Sequence, residues 1–76
     1  MLVFVKAPNG DSIKLEVQPT DSVDRLKLLV SDGLGVAPDE QIFEFSGMRL
    51  DSDHCLGDYN IQNESTLQLV ISFLPV

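Results

Sequence analysis

His54 and the adjacent Cys55 are the two residues in this 76-residue chain whose types could do nucleophilic chemistry, a thiol beside an imidazole base. That chemistry needs the base to face the nucleophile, a third group to orient the base, and a cleft for the substrate. Neighbouring side chains in extended or irregular backbone point apart, and neither an orienting carboxylate nor a pocket is evident around this pair. The residues therefore read as a small half-buried thiol next to a surface imidazole. A single cysteine rules out an internal disulfide, and no cluster has metal-ligand spacing, so apolar packing must hold the fold. No cofactor is implied. Twelve Asp and Glu against five Lys and Arg give a net charge of −7, with the acids spread along the chain. That balance argues against nucleic acid or an anionic membrane as partner and favours solubility. Nothing combines nucleophile, base and cleft, so the chain is not read as an enzyme, and its chemistry is sought in recognition by other proteins.

Such recognition depends on the elements that present it. Asp21 to Gly35 is the one stretch that reads as a helix, over about residues 22–34. Ser22 can cap the first turn, Asp21 and Asp24 suit the positive end of the dipole, and Gly33 and Gly35 supply the stop. Val23, Leu26, Val30 and Leu34 fall on one face at about 100° per residue. On either side the period changes to two. Leu2 to Ala7 and Ser12 to Val17 read as a hairpin around Pro8-Asn9-Gly10. Gln41 to Phe45 is a third strand, Ser46-Gly47 a tight turn, Met48 to Leu50 a short fourth strand, and Ser65 to Phe73 a long final one. Val36 to Glu40 reads as a turn and Asp51 to Asn60 as irregular. The order is that of an α+β domain, one helix against a sheet of four to five strands. Met1 to Lys6 is apolar but lacks a basic lead or cleavage site, and no apolar run approaches ~18 residues. A cytoplasmic or nuclear monomer is expected.

The residues also carry a family pattern. Phe4-Val5-Lys6, Gly10, Ile13, Leu15-Glu16-Val17, Pro19, Asp21, Lys27, Pro38-Asp39, Phe45, Gly47 and Leu50 lead to Leu56-Gly57-Asp58-Tyr59-Asn60-Ile61-Gln62 and Glu64-Ser65-Thr66-Leu67. Through them the whole chain, residues 1–76, resembles ubiquitin without a gap. The resemblance implies the β-grasp fold, a mixed sheet whose central strands are parallel and whose concave face holds the helix. Val3, Val5, Ile13, Leu15, Val17, Val23, Leu26, Val30, Leu50, Leu56, Ile61, Leu67 and Leu69 are the core candidates. Tyr59 is expected to send its hydroxyl to backbone. Lys27 needs an acidic partner; the family has aspartate at position 52, whereas Ser52 stands here between Asp51 and Asp53, which predicts a shifted or weakened pair. The family's residue at position 55 is threonine, which supports the structural reading of Cys55.

Two functional features of the family are altered. Conjugation uses a carboxyl-terminal Gly-Gly on a basic stem, and the matching positions hold Ser72-Phe73-Leu74-Pro75-Val76, which should not be activated as they stand. Exposed Phe and Leu there suggest a domain excised from a longer protein. The family's recognition patch lies on the solvent side of the sheet, and its four central positions hold Pro8, Glu44, Gln68 and Val70. Only Val70 keeps the ubiquitin residue, and a carboxylate in place of an apolar anchor loses about 2 kcal/mol, roughly thirtyfold in affinity. The remaining candidates for partner binding on that face are Lys6, Ile42, Met48 and Arg49, with Leu2, Phe4, Leu28 and Leu29 as a second apolar surface. Of the lysines the family uses for chains, Lys6 and Lys27 remain, so chain building is not expected. The resemblance thus implies a non-conjugated ubiquitin-like interaction module, linking a host to a proteasome receptor, a ligase or a chaperone. The alternative is a diverged modifier released from a fused or multi-unit precursor.

Overall fold

The computed structural model describes residues 1–72. Phe73 to Val76 lie outside the described residues, and with them the last residue assigned to the final strand and most of the tail that stands where the family has Gly-Gly.

The helix forms where capping and periodicity place it. Helix α1, Val23–Leu34, begins at Ser22, whose Oγ accepts a hydrogen bond from the Arg25 N–H at 3.1 Å. It ends at Gly35, whose positive φ of 73° lets its N–H reach the Ser31 carbonyl. Val23, Leu26 and Val30 are fully buried, and Leu34 is half-buried beside them. The strands are β1 (Leu2–Lys6), β2 (Ser12–Glu16), β3 (Gln41–Phe45), β4 (Met48–Arg49) and β5 (Ser65–Ile71). They assemble in the order β2-β1-β5-β3-β4, with β1 and β5 parallel at the centre and the other neighbours antiparallel. This is the mixed sheet and single main helix of the β-grasp. Beyond their tips, β1, β2 and β4 are each a residue shorter than their sequence pattern suggests.

Alternation decides the two faces. Val3 and Val5 of β1, Phe43 of β3, and Leu67 and Leu69 of β5 point into the core with the helix, and the residues between them point away. Phe43, outside the set of core candidates, is fully buried, as is most of Ala7, while Ile13 and Leu15 are only half-buried at the edge strand β2. Gln41 is 2% exposed, and its Nε2 donates to the carbonyls of Lys27 at 3.0 Å and Val36 at 2.9 Å. The amide thereby fastens the start of β3 to the helix and to the loop that leaves it. Its Oε1 has no hydrogen-bond partner among the described residues.

Both stretches read as turn or irregular contain a single 3-10 turn, Pro38–Glu40 and Leu56–Tyr59. The second is held against the helix's entry by Leu56 N–H to Asp21 O and Gly57 N–H to Pro19 O, each 2.9 Å. Tyr59 sends its hydroxyl to backbone as expected, accepting from the Asp51 N–H at 2.7 Å.

Candidate protein-binding surface

Cross-strand register brings four of the expected surface residues into one row. Lys6 on β1 stands opposite Gln68 on β5, Gln68 opposite Glu44 on β3, and Glu44 opposite Arg49 on β4. With strands ~4.8 Å apart, the row runs about 14 Å across the solvent face. Two residues along the strands, Val70 stands opposite Ile42 and forms an apolar row beside the polar one. Val70 is 37% exposed and Ile42 half-buried.

Pro8 extends this surface. The β1–β2 turn is closed by the Gly10 N–H donating to Ala7 O at 3.1 Å and the Ala7 N–H donating to Asp11 O at 2.7 Å. Pro8 presets the first corner and Gly10, at φ 95°, takes the left-handed position. The turn forms one wall of an apolar groove of about 430 Å³, whose lining includes Ala7, Pro8, Leu34, Val36, Val70 and Ile71. Val70 belongs both to the groove and to the sheet face.

The polar row is charged and unneutralised. Lys6, Glu44 and Arg49 are exposed, and among the described residues none of the three has an oppositely charged atom within 4.0 Å. Gln68 is instead pinned toward β1, its Nε2 donating to the Lys6 carbonyl at 3.1 Å. The whole outer face, which also carries Lys14 and Glu16, holds three of the chain's five basic residues against two carboxylates. It is the least acidic side of a protein with a net charge of −7.

Other expected surface residues are placed differently. Met48 stands opposite Phe45, one position out of phase with the Glu44–Arg49 pair, so it does not join the Ile42–Val70 face. The cause is the two-residue turn Ser46-Gly47, whose positive φ values of 53° and 78° suit a type I′ hairpin and fix that register. Nor do Leu2, Phe4, Leu28 and Leu29 make one surface. Leu2 and Phe4 lie half-buried on the outer face of β1, whereas Leu28 and Leu29 are on the helix across the sheet. Leu28 is 56% exposed, but Leu29 packs against the core.

Lys27 has no shifted carboxylate partner either. Its ammonium donates to Ser52 Oγ at 2.9 Å, and among the described residues no Asp or Glu oxygen lies within 4.0 Å. A neutral hydroxyl thus replaces the expected ion pair. His54 does have the carboxylate that its sequence surroundings did not reveal: Nδ1 lies 3.3 Å from Asp58 Oδ2. The same oxygen accepts from the Cys55 N–H at 3.0 Å, and the Cys55 side chain accepts from the Asp58 N–H in a capping box. Thiol and carboxylate are engaged in starting a four-residue turn, a structural task.

A mixed five-stranded sheet with parallel central strands around one helix defines a ubiquitin-like domain. The chain belongs to the ubiquitin family, whose model matches residues 3–74. It is 33% identical over 72 residues to the ubiquitin-like protein NEDD8 of Dictyostelium discoideum, covering 95% of this chain and 94% of that one. It is 32% identical to ubiquitin-like protein 1 of Schizosaccharomyces pombe, covering 95% of this chain and 92% of the relative. It is also 32% identical to part of AN1-type zinc finger protein 4 of Mus musculus, where the match takes in 95% of this chain but 10% of the relative. Proteins of this family are in general modifiers or domains rather than enzymes, and they work by binding other proteins. Among the described residues no helix is long and apolar enough to cross a membrane.

Proposed function

We propose that this chain is a non-conjugated ubiquitin-like module that binds a protein partner through the outer face of its sheet and couples a host protein to the ubiquitin–proteasome system. The observation that carries this reading is the row Lys6–Gln68–Glu44–Arg49 beside Val70 and Ile42, a surface with apolar anchors and unpaired charges together. Glu44 at the centre of the patch makes it a poor site for receptors that seek an apolar surface and suits a dedicated partner. A proteasome receptor, a ligase or a chaperone is the class of partner proposed, with the module acting as a monomer in cytoplasm or nucleus. The residues at positions 72–76, Ser-Phe-Leu-Pro-Val, also favour a role without conjugation.

An NMR titration of the isotope-labelled protein with a ubiquitin-associated domain, a ubiquitin-interacting helix and proteasome receptor domains tests the reading. Shifts clustered at Lys6, Ile42, Glu44, Gln68, Arg49 and Val70 support it. No movement at millimolar ligand counts against the sheet face.

A diverged modifier is the second reading, favoured by the near-complete span of two relatives, 94% and 92% of their lengths. The intact mass of the native protein separates the two. Continuation into another domain supports the module, and a Gly-Gly end beyond the fold supports the modifier.

A further inference from the structure

We propose that Ser52 is a phosphorylation site and that the phosphate it receives is held by the Lys27 ammonium. The receiving cation is already in place. Lys27 Nζ donates to Ser52 Oγ at 2.9 Å, both residues are half-buried, and among the described residues no Asp or Glu oxygen lies within 4.0 Å of that ammonium. A half-buried cation with a neutral acceptor is short of negative charge, and that acceptor is itself the atom to which a phosphoryl group attaches. The hydroxyls of Ser22 and Ser65 differ, since each accepts from a backbone N–H, that of Arg25 at 3.1 Å and that of Gln62 at 3.0 Å, and so serves a turn of chain. A phosphoryl group on Ser52 Oγ carries its terminal oxygens one bond further out, and rotation about Cβ–Oγ sets one or two of them against Nζ in charge-assisted hydrogen bonds.

The surroundings of Ser52 suit both the transfer and its product. Ser52 lies in a turn, outside any helix or strand, with Asp51, Asp53 and His54 exposed around it, so an acidic loop is offered to a kinase whose substrate groove is basic. In the transfer the Ser52 hydroxyl oxygen bonds to the γ-phosphorus of a nucleoside triphosphate. The bond from that phosphorus to the bridging oxygen breaks, nucleoside diphosphate leaves, and the hydroxyl proton passes to the kinase's base. Asp51 and Asp53 repel the phosphate, but they are exposed and screened, whereas the Lys27 contact is half-buried. The loop is already laced to the start of α1 by the Val23 N–H donating to His54 O at 3.0 Å and by the bridge between Ser22 and Cys55. A phosphate on Ser52 adds a charged tie from this loop to the middle of the helix. Modification therefore tightens the domain, independently of what binds the outer sheet face.

The 76-residue chain and its Ser52→Ala, Lys27→Met and Lys27→Arg variants are incubated with an acid-directed serine kinase and ATP, mapped by mass spectrometry and then unfolded in urea. Phosphate is expected on Ser52 of the folded wild type, with none gained by Ser52→Ala. The modified wild type should unfold with an equilibrium constant about three- to tenfold smaller than the unmodified chain, and a phosphatase should reverse the change. Lys27→Arg keeps this gain and Lys27→Met loses it. The NMR signals of the Lys27 side chain should also move more on modification than those of Lys6 and Lys14, a readout that needs no variant to fold. No phosphate on Ser52 of the folded chain, or phosphate only on other residues, overturns the site. Phosphate on Ser52 without a gain in stability, with a gain that Lys27→Met retains, or with the Lys27 signals unmoved, overturns the hold by Lys27.

Discussion

At the scale of single residues, Lys27 and Ser52 show how one substitution changes the physics of a buried contact. An ammonium on a half-buried helix position keeps one hydrogen bond, to a hydroxyl, where the family places a carboxylate. Ser52→Ala removes that acceptor and should destabilise the protein by about 1–2 kcal/mol in urea unfolding. Ser52→Asp should instead stabilise it by about 1 kcal/mol, since the new carboxylate lies within reach of the ammonium. A loss with aspartate would mean that repulsion from Asp51 and Asp53 outweighs the new pair. Tyr59→Phe should cost about 1 kcal/mol or more, because the Asp51 N–H loses its acceptor. The core was largely legible at this scale, as alternation with Thr66 and Gln68 marked Leu67 and Leu69, and the period of two ending in Lys6 placed Val3 and Val5 on the opposite face. Phe43 was not, because Ile42, Phe43 and Phe45 crowd one short strand with apolar residues on both faces. Gln41 had no signal either. The carbonyls that make its burial tolerable belong to Lys27 and Val36, which only the folded chain brings near.

At the scale of elements, the helix could be read from its caps and its 3.6 period, and the hairpin from its turn. The two 3-10 turns could not, since one turn of helix has no period to detect. The Leu56–Tyr59 turn is nonetheless built tightly. A Cβ added at Gly57 would stand 3.2 Å from the Pro19 carbonyl oxygen and 3.3 Å from Pro19 Cβ, so Gly57→Ala must push back the chain entering the helix. A loss of about 1–2 kcal/mol is expected, with the largest amide shifts at Thr20 to Val23. The phase of β4 was similarly hidden: the types of Met48 and Arg49 do not say which one shares a face with Glu44, and the positive φ of Ser46 and Gly47 does. Ser46→Asn should relieve the left-handed strain at that position and raise stability by up to about 0.5 kcal/mol, without altering the pairing.

At the scale of the whole molecule, charge is divided between two sides. The outer sheet face holds Lys6, Lys14 and Arg49, while Asp21, Asp24, Asp32, Asp39, Glu40, Asp51, Asp53 and Asp58 lie on the helix and the segments tied to it. Repulsion among these acids should be relieved by salt, so the urea midpoint should rise between roughly 20 and 500 mM sodium chloride; a fall would show that attractive pairs prevail. The site's row was legible as residues but not as a row, because register between β1, β5, β3 and β4 is set by tertiary pairing. That pairing also orders events in time. β5 fills the middle of the sheet and is the last of these five strands to be synthesised, so β1 waits for a neighbour more than sixty positions away. Until Ile71 emerges, the β1–β2 and β3–β4 pairs lack the strand that joins them, and Val3, Val5 and Phe43 add to the apolar surface that favours aggregation of the nascent chain.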